Sequence, residues 1–177
     1  TISIKSNEVI AGLEKMKYNK EYFYRIRKIK FNELSNLDAA IRTIYLNRTC
    51  FNGLYRVNKE GHFNVPIGKY KNPDFVQKEK IAKASKLLKF RKIKCKDFRD
   101  IINYSFKKND LIFFDPPYIP LEGYADFKRY TSDQFHLESH QDLSKIFNKL
   151  SKKKVKMILT NSNTEITNSL YKGFDKQ

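Results

Sequence analysis

The sequence predicts an α/β protein in which a mostly helical region containing a β-hairpin precedes part of a doubly wound parallel sheet. Three features lead there. Helix-like apolar faces dominate residues 1–90, turn residues break up 51–70, and beyond residue 90 strand and helix patterns alternate. Strands that alternate with helices pair in parallel, because each return to the sheet needs a crossover. The expected division is 1–90 and 91–177, with the hairpin at 51–70.

Taken in order, residues 8–30 carry a helical pattern. Ser35 can cap the next helix, with Asp38 three residues on and Leu37, Ala40, Ile41, Ile44 and Tyr45 on one apolar face that ends near 46–48. Gly53, Gly61, Pro66 and Gly68 then punctuate short aromatic and β-branched stretches, the pattern of loops and a small hairpin. Pro73 opens a basic helix to about Leu88, in which Ile81, Leu87 and Leu88 make the apolar contacts. Residues 93–95 form the first predicted strand, 98–104 a helix and 111–114 the second strand. Leu143, Ile146, Phe147 and Leu150 mark a further helix face, and 155–160 reads as a buried strand.

Composition narrows the function. Lys and Arg number 36 against 19 acidic residues, a formal net charge of +17. Folding does not call for that excess, whereas a polyanionic partner does, nucleic acid first among them. Nucleotide bias behind a Lys- and Asn-rich composition is the competing source of the charge. Cys50 and Cys95 stand far apart in no paired spacing, which argues against a disulfide framework or a zinc cluster and for a reducing compartment. No apolar run approaches the roughly 20 residues of a membrane span, and the start at Thr1 has no signal-peptide pattern. The expectation is a soluble, cytoplasmic, metal-free monomer. His136 and His140 flank Glu138 at helical spacing but lack a third ligand, so both are expected to face solvent. The aromatic and Lys-rich stretch 124–130 is expected to be a surface loop, either plain or in contact with a nucleic acid.

The chemistry centres on Asp115-Pro116-Pro117-Tyr118, directly after the apolar run Leu111–Phe114. In an open α/β sheet ligands gather beyond the carboxyl ends of the strands. Consecutive prolines fix φ and donate no backbone hydrogen bond, so the Pro116 carbonyl can be held beside the Asp115 carboxylate as a second acceptor. Two adjacent acceptors match one amino group with two hydrogens. An exocyclic amine is a weak nucleophile while its lone pair is delocalised into the ring. Accepting both N–H bonds frees that pair to attack a sulfonium methyl, with Tyr118 stacked on an extruded base. The rival is an ordinary Pro-rich turn after a strand, where Asp is common.

With that tetrapeptide, the run Tyr45-Leu46-Asn47-Arg48-Thr49-Cys50-Phe51-Asn52-Gly53-Leu54-Tyr55-Arg56, followed by Gly61-His62-Phe63-Asn64-Val65-Pro66-Ile67-Gly68-Lys69-Tyr70, resembles the Dam-type D12 class of DNA adenine-N6 methyltransferases. The order of the two motifs is also that family's. The resemblance implies a partial Rossmann-like methyltransferase core in 91–177 and a target-recognition region in 1–90. It implies S-adenosylmethionine as cofactor, met by Asp115, Asp97 and Phe98, and double-stranded DNA as partner. Arg48 and Asn52 would hold phosphates, Phe51 would wedge into the base stack, Leu54, Arg56 and Pro66 would read flanking bases, and Lys69 would join the DNA contacts. GATC is the implied site. Plainer roles compete: Phe51 and Leu54 as core, Arg56 in a surface ion pair, Asn52-Gly53 as a turn, and Asp97 as a helix cap. An N4-cytosine or RNA methyltransferase is less well matched, because Asp precedes Pro-Pro-Tyr.

The family's Gly-rich cofactor loop, the Trp and Lys segment before it and the ribose-binding acidic residue lie N-terminal to the Asp-Pro-Pro-Tyr half, and none is found in these 177 residues. The chain also stops before the family's closing strands. The expectation is an internal fragment or a degenerate copy, with a DNA-binding remnant incapable of methyl transfer as the alternative function.

Overall fold

Ser35 begins the central helix of the first half. Its hydroxyl accepts from the Asp38 N–H at 3.1 Å and donates to the Asp38 carboxylate at 2.6 Å, fixing the start of α3 (Asn36–Thr49). The computed structural model describes residues 1–107, 109–121 and 135–176. Two compact units divide them, one over Thr1–Ile93 and the other from Lys94 onward.

In the first unit, α1 (Ile2–Glu14) packs on α3 and on α4 (Lys78–Leu88), and α2 (Lys20–Lys28) packs on α3. The single helical stretch expected over 8–30 is two helices, because Asn19 accepts from the Tyr22 N–H at 2.8 Å and starts a new one. Val9, Leu13, Phe23, Tyr45 and Val65 are fully buried. Gly12 stands mid-helix because a Cβ there would run into the Ile41 side chain. Arg42 is buried, yet its guanidinium donates to the Ile26 carbonyl at 3.2 Å and the Arg27 carbonyl at 3.0 Å. A cation thereby satisfies carbonyls in the last turn of α2 and ties that end to α3. Burial lowers the pKa of Arg42.

The basic helix starts later than Pro73. Gln77 takes a left-handed conformation with φ 50°, and its N–H donates to Asp74 Oδ1 at 3.1 Å, so 73–77 is a bend and α4 begins at Lys78. Ile81 is its buried contact, Leu88 is half-buried, and Leu87, expected to pack, is 74% exposed.

In the second unit, β1 (Leu111–Phe114) and β2 (Lys156–Leu159) pair in parallel with Phe114 opposite Leu159, joined through α5 (Leu137–Ser151). Leu143, Phe147 and Leu150 of α5 cluster with Ile112 and Phe114, while Leu111 and Phe113 stay exposed. One covered face explains why β2, expected to be buried, is only half so. The strand expected at 93–95 does not form. Its residues alternate apolar and polar, but all are exposed, and among the described residues no neighbour supplies the ladder hydrogen bonds that a strand needs. The predicted 98–104 helix is a 3₁₀ turn at Phe98–Asn103, and α6 (Glu165–Leu170) closes the unit. Among the described residues, no helix is long and apolar enough to cross a membrane.

Candidate functional site

Parallel register sets the geometry around the tetrapeptide. Because Phe114 faces Leu159, the next residues, Asp115 and Thr160, leave the sheet side by side. The Thr160 N–H donates to the Phe114 carbonyl at 3.0 Å, and its hydroxyl donates to Asp115 Oδ1 at 2.7 Å. Asp115 is exposed, Pro116 half-buried, Pro117 exposed, and Tyr118 38% exposed. Ile119 then turns inward to 7% exposure, with its N–H on Asn161 Oδ1 at 3.0 Å. The Asp115 carboxylate thus projects from a strand end instead of being sealed in the core.

Asp97 has other work. It accepts from the Arg99 N–H at 2.8 Å as the cap of the 3₁₀ turn, and pairs with the Arg99 guanidinium at 3.1 Å. Arg99 also bonds Asp142 at 3.0 Å, which holds the Asp142 carboxyl below its usual range, helped by Lys145. Phe98 is half-buried against Phe135, ring centres 5.3 Å apart. The capping role weighed for Asp97 is therefore the one its contacts give it.

The histidines divide. His136 is exposed, but His140, expected to face solvent, is 3% exposed, with Phe135 edge-on at 4.7 Å. Its Nδ1 is buried without a hydrogen-bond partner among the described residues, and burial lowers its pKa. Among the described residues, no cluster of three or more potential ligands could hold a metal ion. The stretch 124–130 lies outside the described residues.

In the first unit, the segment after α3 doubles back through two isolated antiparallel bridges, Cys50 with Ile67 and Val57 with Phe63, where a hairpin ladder was expected. The Phe51 N–H donates to the Pro66 carbonyl at 2.9 Å and the Gly68 N–H to the Thr49 carbonyl at 2.8 Å. Asn52 and Gly53 both take positive φ, 52° and 62°, so the pair forms a turn. Asn47 Nδ2 donates to the Gly53 carbonyl at 2.6 Å and braces that turn from α3. Phe51 and Leu54 come out 49% and 51% exposed, which overturns the reading of either as core. Val57, Phe63 and Val65 supply the buried apolar contacts beneath. Arg48, Asn52, Pro66 and Lys69 are exposed, and Arg56 is half-buried. Its Nε donates to Asn64 Oδ1 at 2.8 Å, in place of the surface ion pair weighed for it. Sequence reasoning gave no role to Asn64, Thr160 or Asn161. Two polar residues at the end of a predicted strand, Thr160 its last residue and Asn161 the next, were the available signal for the last two.

The family model for the D12 class N6 adenine-specific DNA methyltransferases matches residues 2–176. The chain is 41% identical over 161 residues to the type II methyltransferase M.MjaIII of Methanocaldococcus jannaschii, covering 88% of this chain and 55% of that protein. It is 38% identical to the type II methyltransferase M1.LlaDCHI of Lactococcus lactis subsp. cremoris, over 89% of this chain and 57% of the relative. With a DNA adenine methylase of Serratia marcescens the identity is 33%, over 86% and 56%. The chain spans about half the length of these relatives. With motif, strand-end geometry and family match in agreement, the chain belongs to the D12 class of N6 adenine-specific DNA methyltransferases.

Proposed function

We propose that this chain transfers a methyl group to the N6 amine of an adenine extruded from duplex DNA, with GATC as its site. The observation that carries the reading is the exposed Asp115 carboxylate at the carboxyl end of β1, followed by two prolines and a half-exposed tyrosine. Asp115 and the Pro116 carbonyl each accept one N–H of the amine, which localises its lone pair. Tyr118 stacks on the base, a contact worth roughly 1–3 kcal/mol. S-adenosylmethionine, when bound, supplies the electrophilic sulfonium methyl. The residues fit it in one respect, because an exposed carboxylate at a strand end favours a nearby positive charge. Asp97 would have to release Arg99 to face it, so Phe98 and Asp115 are the better candidates.

The β1–α5–β2 crossover supports a partial Rossmann-like core for the second unit, and the first unit is the target reader. There, Phe51 wedges into the stack, Leu54 and Pro66 meet thymine methyls, Arg56 reads guanine, and Arg48, Asn52 and Lys69 hold phosphates. A net charge of +17 suits that partner. Both cysteines are free, as a cytoplasmic setting favours. The test is tritium transfer from labelled cofactor to GATC duplexes against scrambled ones. Incorporation confined to GATC supports the proposal, whereas duplex binding with no incorporation supports the DNA-binding remnant.

A further inference from the structure

The carboxyl end of β2 meets the Asp-Pro-Pro-Tyr segment twice. Thr160 Oγ1 reaches Asp115 Oδ1 at 2.7 Å, and Asn161 Oδ1 accepts from the Ile119 N–H at 3.0 Å. Consecutive residues of one strand end therefore tie down both ends of the segment carrying Asp115, Pro116, Pro117 and Tyr118. Asn161 Oδ1 also accepts from the Ser162 N–H at 2.9 Å, which holds its amide in place.

We infer that Thr160 is a positioning residue that pins Asp115 Oδ1 and so reserves Oδ2 for the amine; the inference rests on Asp115 being the acceptor. An exposed carboxylate turns freely about its last torsion and would present either oxygen. Thr is β-branched, and its stiff χ1 gives the hydroxyl a fixed direction. That hydroxyl has one hydrogen and two acceptors in reach, Asp115 Oδ1 at 2.7 Å and the Phe114 carbonyl at 3.4 Å. The shorter, charge-assisted bond takes the hydrogen. A carboxylate has lone pairs to spare, so accepting from Thr160 leaves it able to accept from the substrate. Thr160 touches no substrate atom in this scheme. Its effect is on direction, where small displacements are costly to rate.

Steady-state methylation of a GATC duplex by the full chain separates positioning from folding. Thr160→Val keeps the shape and removes the donor. It is expected to lower kcat about tenfold with KM for the duplex within about twofold, and Thr160→Ser is expected to restore most of the rate. A Val variant as fast as the unsubstituted chain, or a Ser variant no better than Val, overturns the inference. Should the unsubstituted chain transfer no methyl, it is the proposed activity of this chain that fails and not the pinning of Asp115. The bond is then followed without turnover, through the ¹³C resonance of the Asp115 carboxyl. That resonance must move in Thr160→Val and hold in Thr160→Ser, and an unmoved resonance in the Val variant overturns the pinning by itself.

Discussion

In the first unit the exposed candidates Phe51 and Leu54 stand on irregular backbone, whereas in the second Asp115 stands at the end of a hydrogen-bonded strand. The two supports answer different demands. Apolar tips held in water oppose the hydrophobic effect, so the core beneath them must be complete without them. Tyr45, Phe23, Leu13 and Val65 provide that core, and the left-handed Asn52-Gly53 pair turns the tips outward. A group that takes part in chemistry needs direction more than area. A parallel register supplies it, by delivering Asp115 and Thr160 to adjacent places from positions 45 residues apart.

The comparison breaks first at the first unit's core. Tyr45 is fully buried, edge-on to Tyr22 and Phe75, and its hydroxyl donates to the Lys17 carbonyl at 2.8 Å. Tyr45→Ala is expected to cost about 3–5 kcal/mol in urea denaturation, with Tyr45→Phe losing about 1 kcal/mol for the hydroxyl alone. Equal losses in the two variants would contradict that division. Next, Arg56→Ala should cost about 1–3 kcal/mol of discrimination at one G·C pair, read by anisotropy against duplexes altered at each position. A uniform loss across all sequences would make Arg56 a phosphate contact instead.

Much of the fold was legible because its signals are local. The Ser35 cap, the apolar face of α3 and the run at β1 each lie within a few residues, and each appears in the structure. What was missed depends on neighbours. Residues 93–95 alternate like a strand, yet pairing is decided by a neighbouring strand and not by pattern. His140 was expected to face solvent because no third ligand accompanies it, but it is buried with Phe135 edge-on against it. Thr160 and Asn161 acquire meaning only once the register of β2 on β1 is known. The tetrapeptide and the recognition run were legible as motifs, whereas the bond between Asn64 and Arg56 was not.

Smaller effects sharpen the contrast further. Gly53 sits at φ 62°, and Gly53→Ala should cost about 1 kcal/mol of stability and weaken duplex binding by disturbing the turn that carries Phe51 and Leu54. Unchanged binding would detach the turn from recognition. The smallest effect concerns pH. His140 is buried, so its folded pKa lies below the ordinary imidazole value of about 6.5. The unfolded chain then binds the extra proton first. This residue's contribution is therefore complete above that value and is lost as pH falls below it. Melting temperatures at descending pH should show a slope that His140→Gln removes, and an identical slope in both proteins would contradict this.

The most direct test follows the methyl mark itself, by incubating a GATC duplex with labelled cofactor and identifying the modified nucleoside after digestion. The unsubstituted chain should yield N6-methyladenine, and Asp115→Ala should bind the duplex equally well while yielding none, because an exposed side chain can be truncated without opening the core. Methylation by Asp115→Ala at the rate of the unsubstituted chain would contradict the account.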